Sequence, residues 1–159
     1  MVVVLCGASF GQEKAISEDA TDVTVITSDK LTFDYIKQYA FFEGNVIVVD
    51  PQMKIYSDTM MVKFDDSNKA RNIKAEGNVV IIQDDKRAKS DIAEYKVDTG
   101  EIILRVNPMI TSGRNILTAD VIRFWRDENR AIFEPNSRLV IYPDDDADKS
   151  FFGDPSSGR

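Results

Sequence analysis

Along most of this chain apolar side chains fall on alternate positions, and the alternation restarts at a nearly fixed interval. Two, four and six residues after Asp29, Asp58, Asp91 and Asp120 stand Leu31, Phe33 and Tyr35; Met60, Val62 and Phe64; Ala93, Tyr95 and Val97; and Ile122, Phe124 and Arg126. Eleven of these twelve positions are apolar or aromatic, whereas those between them are mixed, as in Thr32, Asp34, Lys63, Glu94, Lys96 and Arg123. A period of two is the signature of a half-buried strand, so each Asp is expected to open a β-strand. A second anchor behaves alike. Five and three residues before Asn45, Asn78, Asn107 and Asn136 lie Ala40 and Phe42, Ile73 and Ala75, Ile102 and Leu104, and Ala131 and Phe133. One and three after lie Val46 and Val48, Val79 and Ile81, Pro108 and Ile110, and Ser137 and Leu139. Glu43, Glu76, Arg105 and Glu134 alternate out of this face, which makes the opposite side charged and solvated.

The aspartates are 29, 33 and 29 residues apart, and the asparagines 33, 29 and 29. A fixed period of this kind marks a repeat in which each copy is one supersecondary unit that cannot bury its apolar face alone. Turn chemistry separates the strands at Asp65-Asp66-Ser67-Asn68, Asp84-Asp85, Asp98-Thr99-Gly100 and Asp127-Glu128-Asn129. Each unit therefore reads as strand, tight turn, strand, small break, strand. No segment sustains apolar residues at i, i+3, i+4 and i+7, and the runs are rich in β-branched and aromatic residues, so a helical solenoid is disfavoured. The expectation is an all-β antiparallel meander of about four repeats that hides its greasy face by closing into a barrel or folding into a two-sheet sandwich or jelly roll.

Composition narrows the function. At 159 residues the chain suffices for one β domain with a real core. Its net charge of −7, with no histidine, argues against a phosphate-backbone binder, and nucleic acid is not an expected partner. Residues 1–21 read as a signal-peptide-like segment: the apolar start ends in Ser9-Phe10-Gly11, with small residues at the −3 and −1 positions before Gln12. The alternatives are a plain first strand and, through Cys6, a lipoprotein anchor, against which Leu5 stands where a small residue is wanted. Removal of the segment leaves no cysteine, which is compatible with an oxidising compartment. Residues 22–143 form the expected β domain, and residues 144–159, beginning Asp144-Asp145-Asp146, form an acidic tail rich in Gly, Pro and Ser.

Ser57-Asp58-x-Met60-x-Val62, Ala75-Glu-Gly-Asn-Val79, Ala88-Lys-Ser-Asp91-x-Ala-x-Tyr95 and Leu117-Thr-Ala-Asp120, in this order and spacing, resemble the OstA-like repeats of the lipopolysaccharide-transport protein A (LptA) family. The resemblance covers roughly residues 22–143 and weakens towards the C-terminus, where Pro108, Ser137 and Arg126 break the pattern. It implies an open, slightly twisted β-jellyroll of about sixteen short antiparallel strands. It also implies a periplasmic protein that carries lipopolysaccharide, or its lipid A, from inner to outer membrane. Expected partners are the related β-jellyroll domains of inner-membrane and outer-membrane components, with head-to-tail self-association.

The residues supply a mechanism for that role. A two-sheet shell lined by Leu31, Phe33, Phe42, Met60, Val62, Phe64, Tyr95, Leu104, Ile122, Phe124 and Phe133 can receive acyl chains if the sheets do not close fully. At ~0.8 kcal/mol per buried methylene, one chain of about a dozen carbons is worth on the order of 10 kcal/mol gross. Arg126 is a candidate for a lipid phosphate, or else pairs with Asp127 or Glu128; Trp125 falls on the opposite face. Val23–Ile26 and Arg138–Tyr142 are candidate open edges for strand addition by another chain. With no histidine, no Gly-rich phosphate loop and carboxylates that follow the repeat, no catalytic residue, cofactor or dedicated metal site is expected. The competing reading is a structural or adaptor β-repeat protein with a filled core.

Overall fold

The computed structural model describes residues 23–128 and 130–143; the expected export segment, Cys6 and the acidic tail lie outside them. The described residues contain twelve strands: β1 (Val25–Thr27), β2 (Lys30–Asp34), β3 (Tyr39–Val49), β4 (Lys54–Phe64), β5 (Ala70–Gln83), β6 (Lys86–Lys96), β7 (Glu101–Arg105), β8 (Met109–Ser112), β9 (Asn115–Thr118), β10 (Val121–Trp125), β11 (Arg130–Glu134) and β12 (Arg138–Val140). Among the described residues there is no helix. The strands pair antiparallel in the order β1-β3-β4-β5-β6-β7-β10-β11, with β2 also beside β3, and with β8, β9 and β12 extending from β6.

The branching follows from the four long strands, which each cross a fold line. Residues 39–43 of β3 pair with β2, and residues 47–49 with β1. Residues 92–96 of β6 pair with β7, and residues 86–89 with β8. When each long strand is counted once on either side of the line, the twelve strands make sixteen segments, eight in each of two arms. The first arm holds β2, β7, β10 and β11; the second holds β1, β8, β9 and β12; β3 to β6 contribute to both. No pairing joins the β1/β2 edge to the β11/β12 edge, so the structure is an open sandwich.

The fold line is written in the two anchors. Left-handed backbone at Gly44 (φ 78°) and Asn45 (47°), Gly77 (80°) and Asn78 (48°), Val106 (62°) and Asn107 (54°), and Asn136 (55°) breaks the ladder, and the register slips between Glu43 and Val46 and between Glu76 and Val79. In three copies the anchor aspartate then clamps the kink. Asp29 accepts from Asn45 Nδ2 at 2.8 Å, Asp58 from Asn78 at 2.9 Å, and Asp120 from Asn136 at 2.8 Å. Backbone bonds repeat the link from Asp29 N–H to Gly44, Asp91 N–H to Val106, and Asp120 N–H to Pro135. The small residue before each Asp is buried at this line in three copies (Ser57, Ser90 and Ala119), where the inward faces of the arms converge.

This corrects one expectation. Asp29 and Asp120 do precede strands, but Asp58 and Asp91 sit inside β4 and β6, which run on through the kink. The six-on positions Tyr35, Val97 and Arg126 are in turns rather than strands, and only Phe64 ends a strand. The turns expected at Asp65–Asn68, Asp84-Asp85 and Asp98–Gly100 stand where their residues placed them, as do Asp127 and Glu128 of the last; its Asn129 lies outside the described residues. In the β4–β5 turn, Asp65 Oδ1 accepts from the N–H of Lys69 (3.0 Å) and Ser67 (2.8 Å), which holds its carboxyl below the ordinary value, the Lys69 bond contributing most.

Alternation carries the apolar residues into continuous inward rows. In the first arm one row runs Leu31, Phe42, Met60, Ala75, Ala93, Leu104, Ile122, Phe133, and a second runs Phe33, Ala40, Val62, Ile73, Tyr95, Ile102, Phe124, Ala131. The second arm opposes them with Ile26, Val48, Ile55, Ile81, Ala88, Ile110, Leu117 and Leu139. Residues of both arms join one core cluster, so the faces pack against each other.

Two glycine positions test the fold line. A Cβ at Gly77 would press on the Asp58 carboxylate at a backbone angle that alanine resists, whereas Gly113 (φ 56°) faces open space. Gly77→Ala is expected to destabilise by at least ~2 kcal/mol more than Gly113→Ala in denaturant unfolding. In the third copy the β-branched Val106 occupies the left-handed position that Gly44 and Gly77 take elsewhere. Val106→Gly is therefore expected to raise stability by about 0.5–1 kcal/mol, because relief of a left-handed penalty of ~1–2 kcal/mol exceeds the entropy that glycine loses.

Candidate functional site

The interior between the arms is where the predicted lining residues meet, though unequally. Met60, Leu104 and Ile122 are fully buried, Phe42 and Val62 nearly so, and Phe64, Tyr95, Phe124 and Phe133 are half-buried against the core. Leu31 and Phe33 depart from expectation: they hold inward register but lie on edge strand β2, where they are 55% and 43% exposed. Phe33 packs between Tyr35 (ring centroids 4.5 Å apart) and Phe64 (5.6 Å), a short aromatic run at the open edge.

Burial is complete at Met60, Leu104 and Ile122 and partial at Phe64, Tyr95, Phe124 and Phe133. An apolar cavity of about 120 Å³ lies between the arms, bounded by Ile26, Val48, Ile55 and Ile81 from one side and Met60, Ile73, Ala93 and Tyr95 from the other. A second cavity of about 180 Å³ adjoins it at Ile81 and Arg126, with Ala88, Ile110, Phe124 and Phe133 among its walls. Met53, Ala75, Val79 and Ile102 belong to the same interior, although sequence reasoning did not name them as lining. The inward register of Ala75, Val79 and Ile102 was readable from the alternation, whereas Met53 lies in the β3–β4 loop outside any strand.

Arg126 lies at the mouth of the first cavity, on the turn after β10. Its guanidinium donates to Gln52 Oε1 at 2.7 Å, lies 3.8 Å from Asp50, and sits 5.7 Å from the Tyr95 ring centroid. The expected pairing with Asp127 or Glu128 is thus replaced by a tie from the first arm to the β3–β4 loop of the second. Trp125 is half-buried, with Arg130 stacked on its ring at 4.2 Å. The outward face carries exposed or half-exposed ion pairs, Lys30–Glu43 (2.9 Å), Arg71–Asp98 (3.0 Å) and Arg105–Glu94 (2.9 Å), each worth ~0–1 kcal/mol. Among the described residues no group of three or more acidic, histidine or cysteine side chains is placed to hold a metal ion.

A protein-family model described as LptA/(LptD N-terminal domain) LPS transport protein matches residues 25–130, the span that holds all four kinks but the last. The chain belongs to this family. It is a transport family rather than an enzyme family. Among solved structures the chain is similar to LptH from Pseudomonas aeruginosa, described as the LptA-homologous periplasmic component of the conserved lipopolysaccharide transport device. The similarity covers 79% of this chain and 99% of that one, with a TM-score of 0.68 at 16% sequence identity, and it shows the open LptA-like jellyroll fold. No curated protein matches the chain. The described residues hold twelve strands where the LptA resemblance implied about sixteen short ones, because β3 to β6 each run unbroken through the fold line and serve both arms.

Burial separates structural from available lining residues. Leu104→Ala is expected to destabilise by about 2–5 kcal/mol, whereas Leu31→Ala, at an exposed edge, should change stability by less than ~1 kcal/mol; paired denaturant titrations distinguish the two.

Proposed function

We propose that this protein is a periplasmic lipopolysaccharide carrier that holds acyl chains in the apolar space between its two arms and passes them from inner towards outer membrane. The observation that carries the reading is the apolar cavity between the arms and the mixed apolar and cationic one that adjoins it, in a chain of the LPS transport family. At ~0.8 kcal/mol per methylene, acyl burial outweighs any surface ion pair, so affinity resides in the interior and the acidic net charge is no obstacle.

The cavities are small beside the roughly 300–1,000 Å³ of a typical ligand pocket. Loading an acyl chain therefore requires the arms to spread about the fold line. The open edges offer the route along which a chain passes to the next subunit. Val25, Leu31 and Phe33 are exposed at the β1/β2 edge, and Leu139 and Ile141 at the β11/β12 end. Unpaired backbone there suits strand addition by a second copy, or by related jellyroll domains of inner- and outer-membrane transport components, and head-to-tail addition extends without closing.

Displacement of a fluorescent fatty-acyl probe by lipid A tests the reading. Lipid A should displace the probe from the wild-type chain, and Ala93→Leu, which fills the first cavity, should weaken probe affinity by about tenfold while thermal unfolding stays cooperative. No binding by the wild type, or equal binding by a folded Ala93→Leu chain, contradicts an acyl-holding interior and favours the filled-core adaptor.

A further inference from the structure

We infer that the second cavity is a site for the anionic head of a single-chain amphiphile, with Lys86 as its principal contact; the inference deepens the acyl-carrier reading and rests on it. Register places Lys86 on the inward face of β6, two residues before buried Ala88 and opposite buried Ser112. A lysine is an unusual inward residue in a sandwich whose inward rows are mostly aliphatic, aromatic or small, because removing an ammonium from water without a partner is costly. Lys86 is half-buried and makes no ion pair among the described residues, although the chain as a whole carries −7. Across the gap stand Phe124 and Phe133, and Arg126 and Arg130 border the same cavity from the β10–β11 end.

The two cavities differ in charge. Asp50 is among the walls of the first, whereas no carboxylate lines the second, whose charged residues are Lys86, Arg126 and Arg130. Arg126 lies 3.8 Å from Asp50 and Arg130 3.4 Å from Glu128, which leaves Lys86 as the cation without an ion pair among the described residues. An apolar floor below an unpaired ammonium is complementary to a carboxylate or phosphate on a hydrocarbon chain. The head meets Lys86 in a charge-assisted bond, and the tail runs towards Ile81, where the cavities join. A neutral chain of the same length gains the apolar contact alone. The ammonium and the cation-bordered mouth thus fix which way round a chain lies between the arms.

Trp125 is the protein's single tryptophan and lines this cavity, so its fluorescence reports occupancy. The full chain is titrated with dodecanoate, dodecanol and inorganic phosphate, in wild type, Lys86→Gln and Lys89→Gln, the last altering an outward lysine of the same strand. Dodecanoate should bind about tenfold or more tightly than dodecanol. The gap should collapse in Lys86→Gln and persist in Lys89→Gln, with inorganic phosphate silent. Equal affinity for dodecanoate and dodecanol, or equal effects of the two lysine variants, overturns the head site while leaving the acyl interior standing. A phosphate response matching that of dodecanoate overturns it in favour of a small-anion site. Failure of both amphiphiles to bind, or to displace the fatty-acyl probe, removes the carrier reading and this site together.

Discussion

Everything in this structure depends on a line of left-handed residues across a sheet that would otherwise continue flat. At Gly44-Asn45, Gly77-Asn78, Val106-Asn107 and Asn136 the backbone leaves the β region, and three of these kinks are clamped by an aspartate from the strand before. A flat meander of this length would leave one apolar face in water. The bend converts that face into two surfaces opposing each other, and the hydrophobic gain of their contact supports the strained backbone. Since a left-handed kink recurs in each copy, the bend falls at the same height on successive strands, and the arms stay in phase over eight segments.

Much of this was legible in the residues. Period-two alternation fixes which side chains face inward, and the eight-residue rows follow from it once strand order is antiparallel and sequential. The turns were legible from Asp, Asn, Gly and Ser. What escaped was the union of the two anchors. Asp58 and Asp91 lie inside strands without Gly or Pro beside them, so nothing local separates an interrupted ladder from a new strand. The offset from Asp to Asn did not reveal their contact: the clamped pairs are 16, 20 and 16 residues apart, and Asp91 and Asn107, also 16 apart, form no such clamp. Tyr35, Val97 and Arg126 were misassigned because apolar or long side chains extended the alternation into turns. The Arg126 contact with Gln52 spans 74 residues and follows from layer packing that no periodic pattern encodes.

The interior resolves a tension between filled core and groove by being both at different depths. Near the fold line Ser57, Ser90 and Ala119 mark where the arms converge, and Met60, Leu104 and Ile122 are sealed. Farther out, Tyr95, Phe124 and Phe133 are only half-covered, and the cavities reach inward from there as far as Met60 and Ala93. Arg126 ties the two lips through Gln52 and Asp50, a polar contact that exchanges for water more readily than packed hydrocarbon does.

The central claim, that lipopolysaccharide acyl chains lie between the arms rather than on the outside, is tested most directly by site-specific photo-crosslinking. Tyr95 faces inward on the row with Ile73 and Ile102, whereas Tyr56 faces outward between Ile47 and Val80. A photoreactive phenylalanine analogue at Tyr95 should crosslink lipopolysaccharide and the same analogue at Tyr56 should not. Crosslinking confined to position 56, or equal at the two positions, would contradict the account.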